Sequence, residues 1–343
     1  MNLAELVPPD RLGPALVQAV GDARWRSLEV SLIAGGKSNL TFEITSEAGA
    51  VILRRPPSGE LLPSAHDMGR EARIQRALTS TSVPVPKVIL QETSGELLGV
   101  PFYVMEKVPG YVIRARMPEG YSGSPVANLA LADALIDVLA ELHTIDPRTV
   151  GLEDYGRPQG YLERQLLRWS AQWEKTKTRD LKAIDELRWR LTRLLPQRQR
   201  HSIVHGDYRL DNCLVALDDS PRITAVLDWE LSTLGDPLTD LGLLLFYWRE
   251  PGEYESALTP TVTQDPDFPA RAYLAERYAR LTGATLDDIT FYEAFANFKF
   301  AVIAQGIVAR VAAGAMAGQS FGDLDDEISR VVEEGIVKLE QKG

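Results

Sequence analysis

Apolar and polar residues alternate in short runs over roughly the first hundred positions and recur at helical spacing over most of the remainder. LEVSLI (28–33), LTFEIT (40–45) and VILRR (51–55) have the two-residue period of half-buried strands. The last two meet at Ser46-Glu47-Ala48-Gly49, a tight turn in which Gly49 can take positive φ. A short helix beginning near Asp10 precedes them, and HDMGREARIQRALTS (66–80) predicts another, stopped before Pro84 and Pro86. KVILQE and PFYVMEKV add two strands around the Ser94-Gly95 turn signal. This predicts an antiparallel sheet of about five strands with one helix packed on it.

From Pro109 the pattern becomes helical: VANLALADALIDVLAELHTID, then segments 160–178 and 180–195, whose charges interleave with Trp169, Trp173 and Trp189. Short strand-like pieces follow around IVHGD, CLVALDD and RITAVLD, and most of the chain after Pro237 reads as helix. The expected fold class is α+β, with a small sheet lobe at 1–108 and a larger helical lobe at 109–343.

Composition narrows the function classes. The 343 residues are 45% apolar and 25% charged, ordinary for a globular protein, and the net charge is −11. A global anion is a poor non-specific binder of nucleic acid or membrane surface, so a phosphate ligand needs local positive groups. One cysteine, Cys213, excludes an internal disulfide and suits a reducing compartment. MNLAELVPPD lacks the pattern of a signal peptide, and AVIAQGIVARVAAGAMAG is interrupted by Gln305 and Arg310, a poor membrane span. The expectation is a cytoplasmic protein.

IAGGKSNLTF (33–42) contains Gly36-Lys37-Ser38, the ending of a P-loop. The motif needs a glycine five residues before Gly36, where Ser31 stands, and a helix directly afterwards, where a strand follows. It is a glycine hairpin, not a P-loop. The chemistry concentrates in IVHGDYRLDNCLVALDDSPRITAVLDWE (203–230). His205, Asp207 and Asn212 form H-x-D-x-x-x-x-N, and Asp228 ends an apolar strand, the spacing of a protein-kinase catalytic loop. The wording is not that of protein kinases: HGD replaces HRD, and Asp228-Trp229-Glu230 stands where D-F-G would.

HGDYRLDN followed by VLDWELSTLGDPLTDLG resembles the aminoglycoside phosphotransferase family of small-molecule kinases. The resemblance is nearest to the kinase-like domains fused to acyl-CoA dehydrogenases and their free-standing bacterial relatives. It runs from GGKSNLTF through VILRRPP and PFYVMEKVPG to both C-terminal motifs. It implies a two-lobed, protein-kinase-like fold and transfer of the ATP γ-phosphate to a small-molecule hydroxyl, with Mg2+.

In that reading Asp207 is the general base, and Asn212 and Asp228 hold the metal. Gly35, Gly36, Ser38 and Asn39 approach the phosphates. A cation on the third strand contacts them as well. Alternation lets only one of Arg54 and Arg55 face the nucleotide, and the family pattern puts Arg54 there in place of the usual Lys. Glu71 lies three residues before Ile74 and seven before Leu78 on the core-facing stripe, where a carboxylate needs a partner. Glu106 and Val108, at the lobe junction, offer backbone bonds to the purine. The acceptor is expected to be a hydroxyacyl-type metabolite rather than an aminoglycoside, partly because Arg188, Arg190, Arg193, Arg198 and Arg200 could face an anion. A pseudokinase that binds nucleotide without turnover is the rival, supported only by the missing Lys. His205 and Asp240 read as loop or helix braces, Asp236 as a turn residue, Cys213 as a buried hydrophobe, and Trp169 and Trp173 as core.

Overall fold

A computed structural model describes residues 3–33, 39–57, 67–119, 121, 123–197, 199–216, 221–255, 258–314 and 322–340. The chain divides into two compact units. One comprises Met1–Gly110 with Thr224–Ser232, the other Tyr111–Ile223 with Thr233–Gly343. The expected boundary at 108/109 falls two residues from the first break. The return of Thr224–Ser232 to the first unit is a long-range association that no local pattern announces.

The first unit opens with helices α1 (Leu3–Leu6) and α2 (Pro9–Val20). Its sheet contains β1 (Glu29–Leu32), β2 (Leu40–Ser46), β3 (Gly49–Arg55), β4 (Val88–Glu92) and β5 (Phe102–Glu106), in the antiparallel order β1-β2-β3-β5-β4. Gly49 closes the β2–β3 turn at φ 133°, a conformation that glycine adopts without a Cβ penalty. Helix α3 (Met68–Leu78) lies between β3 and β4 in the chain, and the Asp67 carboxylate caps it by accepting the Arg70 N–H at 2.9 Å.

Strand alternation divides the sheet into two apolar faces. Phe42, Ile44, Val51, Leu53, Phe102 and Val104 pack with Leu12, Leu16 and Trp25 on one side. Ile52, Tyr103 and Met105 pack with Met68 and Ala72 of α3 on the other. The sheet is therefore covered on both faces, where the sequence reading places a helix on only one.

The second unit holds α4 (Pro125–Thr144), α5 (Tyr161–Thr176), α6 (Lys182–Arg193), β6 (Ser202–Val204), β7 (Cys213–Ala216), the start of β8 (Arg222–Val226), β9 (Thr233–Gly235), α7 (Leu238–Tyr247), α8 (Arg271–Thr282), α9 (Ile289–Ala312) and α10 (Leu324–Glu340). Helix α9 is long and apolar enough to cross a membrane by length and composition, but most of it is buried against α5, α6, α7 and α10. Strands β6 and β9 pair antiparallel with Val204 opposite Thr233. That pairing brings the segment after β6, His205-Gly206-Asp207, beside the segment after β9 that begins α7.

Candidate active site

In the first unit the parity of β3 decides which arginine does what. Arg54 shares its face with Ile52 and reaches α3; Arg55 shares its face with Leu53 and reaches α1. The Arg54 guanidinium forms an ion pair with Glu71 Oε2 at 3.2 Å and donates from Nη2 to Asp228 Oδ1 at 2.9 Å. Glu71 is almost fully buried, and its other contacts are just as specific. Oε1 accepts from Asn39 Nδ2 at 2.9 Å, and Oε2 accepts from the Tyr103 hydroxyl at 3.0 Å. Asn39 Nδ2 also lies 3.1 Å from Glu230 Oε2.

Burial works against the Arg54 charge, but Tyr103, Glu71 and Asp228 outweigh it and hold its pKa above the ordinary value. Burial is also the largest influence on Glu71 and raises its pKa, against the lowering effect of Arg54 and the Tyr103 hydroxyl. Arg55 is equally buried, and donates to the Leu6 and Pro56 carbonyls. Its environment is neutral, and burial lowers its pKa.

Asp228 has φ 64° and ψ 61°, the single non-glycine positive φ among the described residues. Such a conformation persists only where the surroundings impose it. Here Val226 N–H donates to Pro84 O at 2.8 Å and the Trp229 indole donates to Val226 O at 3.0 Å. Arg70 donates to Ser232 O at 3.2 Å. Trp229 is buried and anchors the turn that presents Asp228. A cleft of about 570 Å³ in the same unit is lined by Val51, Val85, Glu106, Val108 and Thr224, among others. The Glu106 N–H is already bonded to Lys87 O at 2.9 Å.

In the second unit the loop after β6 is held mainly through its backbone. Asp240 in the first turn of α7 accepts the His205 N–H at 2.6 Å on Oδ2 and the Gly206 N–H at 2.8 Å on Oδ1. His143 Nε2 lies 3.2 Å from the same Oδ2, and His143 Nδ1 lies 2.7 Å from the Tyr278 hydroxyl. Burial pushes the Asp240 carboxyl up, but His143, His205 and the donated N–H groups prevail and hold it below its usual value. The Asp207 N–H donates to His205 Nδ1 at 3.2 Å.

The Asp207 carboxylate is oriented by Asn212, whose Nδ2 donates to Asp207 Oδ2 at 2.9 Å and to its carbonyl at 2.8 Å. Arg209 Nε lies 3.4 Å from Asp207 Oδ2 and 3.1 Å from Asp211 Oδ1, with its guanidinium 4.5 Å from the Tyr247 ring centroid. Burial raises the pKa of Asp211 despite Arg209. Asn212 commits its amide nitrogen to Asp207, and its amide oxygen is a hard donor. Asn212 in the second unit and Asp228 in the first each carry an oxygen of the kind magnesium takes, an ion that usually binds one or two protein carboxylates and completes its shell with phosphates and water. Among the described residues no group of three or more His, Cys, Asp or Glu could hold a metal ion.

Gly35, Gly36 and Ser38 lie outside the described residues. Of the glycine hairpin's site residues, Asn39 is described, and its side chain joins Glu71 and Glu230. Asp236 is more than a turn residue: it is buried, caps α7 by accepting the Leu238 N–H at 3.0 Å, and accepts the Tyr292 hydroxyl at 2.9 Å. Cys213 is buried, and its thiol is pushed up to about 12, chiefly by burial. Trp173 is core, whereas Trp169 is partly exposed beside Lys299.

Each described arginine of the basic run already has a partner. Arg188 pairs with Asp185 and Glu174, Arg190 with Glu186 and Glu340, and Arg193 stacks on Trp189. Arg200 donates to Thr282 O, and Arg198 lies outside the described residues. Arg209, Glu230, Tyr103, His143 and Lys299 were not singled out by sequence reasoning. Arg209 lies within the catalytic motif itself. The signal for Lys299 was a lone lysine in the apolar run ANFKFAVIAQG.

An antiparallel sheet unit in which Arg54 joins buried Glu71 to partly exposed Asp228, and a helical unit presenting an Asp–Asn loop, are the parts of a protein-kinase-like fold. Residues 29–285 match the model of the phosphotransferase enzyme family that includes the aminoglycoside phosphotransferases, and the chain belongs to that family. It is 34% identical over 324 residues to human acyl-CoA dehydrogenase family member 11, covering 91% of this chain and 41% of that one. The chain thus spans about two-fifths of that relative's length. A crystal structure of a candidate aminoglycoside phosphotransferase from Ralstonia eutropha is 33% identical, with a TM-score of 0.82 and coverage of 97% and 98% of the two chains. Choline kinase from Cryptosporidium parvum shares the fold at 12% identity, with a TM-score of 0.65 and coverage of 95% and 94%.

Proposed function

We propose that the protein transfers the γ-phosphate of ATP to a hydroxyl group of a small molecule. The observation that carries this reading is the Asp207 carboxylate, fixed by the Asn212 amide at 2.9 Å in a loop whose backbone is tied to Asp240. Asp207 accepts the hydroxyl proton as the alkoxide oxygen forms its bond to the γ-phosphorus and the bond to the ADP oxygen breaks. Phosphoryl transfer asks a protein chiefly for positioning and charge stabilisation. Arg54, fixed by Glu71, binds phosphate oxygens, and the glycine hairpin around Gly35, Gly36 and Ser38 brings N–H groups to them. The backbone at Glu106 and Val108 receives the purine. Asn212 and Asp228 would hold magnesium, which would supply charge neutralisation on the phosphates.

The acceptor in this reading is a hydroxyacyl-type metabolite. Its support is the similarity to proteins named as acyl-CoA dehydrogenase family members, since Arg188 and Arg190 are taken up by acidic partners, Arg193 by Trp189 and Arg200 by a carbonyl. Substrate-dependent ADP release across hydroxylated acids, hydroxyacyl thioesters and aminoglycosides tests the acceptor. Asp207→Asn tests the mechanism. Turnover should fall by the ~10²–10⁴ typical of a lost general base while ATP affinity stays the same. A folded Asp207→Asn protein with full turnover would remove the mechanism.

A further inference from the structure

Lys299 lies near the middle of α9 and is 8% exposed. An ammonium removed from water is costly unless anions or dipoles replace its hydration. Among the described residues no carboxylate makes an ion pair with it. Its Nζ donates to the Gly206 carbonyl and lies 5.5 Å from the Trp169 ring centroid. Burial lowers its pKa below the ordinary lysine value; Asp207 and Asp240 work against that from further away, and Arg168 and Arg209 add to it. Phe298 and Phe300 flank it in the sequence, and a methionine would fill such a position without the cost of dehydrating a charge.

That charge is spent on one peptide group. The Gly206 carbonyl and the Asp207 N–H belong to the same plane, immediately before the Asp207 Cα. Lys299 holds the oxygen end of that plane, and His205 Nδ1 holds the N–H end at 3.2 Å. The preceding plane is held by Asp240 through the Gly206 N–H at 2.8 Å. Gly206 has φ 86°, so the backbone turns sharply here and lacks the restraint of a side chain. Without Lys299 the 206–207 plane would keep one of its two anchors, and the direction of the Asp207 side chain would be less tightly defined.

We propose that Lys299 is a positioning residue for phosphoryl transfer, holding the 206–207 peptide through the Gly206 carbonyl and thereby aiming the Asp207 carboxylate. The inference rests on Asp207 being the base in the proposed function. Lys299→Met, which keeps the length and removes the donors, should lower the rate of ADP release from Mg-ATP, with water as acceptor. The loss should approach the ~10²-fold that a displacement of about 1 Å can cost. Its ATP Kd, measured by calorimetry, should stay within about twofold, since a displacement of this kind acts on the reacting geometry. Lys299→Arg, which retains a cationic donor, should recover part of the rate. Hydrogen exchange in the peptide spanning 205–207 should accelerate in Lys299→Met and less in Lys299→Arg.

The outcomes separate the two claims. If Asp207→Asn keeps full turnover, the proposed function falls. If Asp207→Asn is inactive but folded Lys299→Met turns over normally, the Lys299 inference alone falls. A drop in rate matched by an equal loss of ATP affinity would also overturn it, because a positioning role acts on kcat. Unchanged exchange at 205–207 in Lys299→Met would overturn it whatever the turnover.

Discussion

The two units hold their functional carboxylates by different physics. In the first, Asp228 and Glu71 are bound to the charged Arg54 side chain. In the second, the loop carrying Asp207 is fixed through backbone groups, by Asp240 on two N–H groups and Lys299 on a carbonyl. Ion pairs among side chains can exchange partners when a ligand brings phosphate and metal charges of its own. Backbone bonds to buried anchors keep their geometry as charges arrive. Under the proposed function, the first arrangement suits a site that must re-partner with a nucleotide, and the second suits a base that must already be aimed.

The largest test of this contrast is Asp228→Ala. Magnesium-dependent ATP binding should be abolished, because the main protein carboxylate offered to the ion is removed. Calorimetric titration with and without magnesium measures it, and an unchanged magnesium dependence would break the assignment.

Next in size is Asp240→Ala. It strands the His205 and Gly206 N–H groups and removes one of the two partners of His143, a loss of about 3–5 kcal/mol for a broken buried charged network, measured by urea unfolding. The pH dependence has a definite sign. A carboxyl held below its unfolded value contributes stability in full above that value and loses it as pH falls through the lower folded value. The wild type should therefore lose this contribution only in acid, below the ordinary aspartate value of 3.8. Asp240→Ala should lack that part of the acid slope.

Arg54→Ala and Arg55→Ala sharpen the contrast within one strand. Arg54→Ala should weaken ATP binding, whereas Arg55→Ala should leave ATP affinity alone and cost about 1–3 kcal/mol of stability through the unsatisfied Leu6 carbonyl and lost packing. Glu71→Ala should reproduce part of the Arg54→Ala effect, with less than additive losses in the double variant. The reverse pattern, with Arg55→Ala the more damaging to ATP affinity, would reassign the phosphate contact.

This pair also marks what could be read from the chain. The period of two places Arg54 and Arg55 on opposite faces, and the helical stripe turns Glu71 inward, so those orientations were legible locally; the choice of Arg54 came from the family resemblance, and Tyr103 and Glu230 were not foreseen. The burial of Arg55 was not, because it depends on α1 and α2 covering the second face of the sheet, a long-range packing event. The same holds for Thr224–Ser232, which joins the first unit from more than a hundred residues away. The catalytic loop was legible as a motif, but its anchors were not. Asp240 could be read as either a helix cap or a loop brace, and only the β6–β9 pairing brings it to the loop. Lys299 sits in a helix that is apolar on nearly every side, where spacing gives no preferred face.

The smallest expected effect concerns the basic run on α6, and it bears on the acceptor. Arg188 lies 2.8 Å from Asp185 and 3.3 Å from Glu174, and both partners are well exposed. Water screens such pairs, so Arg188→Ala should change stability by no more than ~0.5 kcal/mol. If these arginines are a solvated face satisfied by their own acids, Arg188→Ala should leave KM for any acceptor found in the ADP-release screen unchanged at low and at moderate salt. A carrier-bound anionic acceptor that docked here would behave otherwise. Its KM would rise in Arg188→Ala at low ionic strength, and the difference would shrink as salt screened the contact. That result would move acceptor recognition to α6 and away from the loop that carries Asp207.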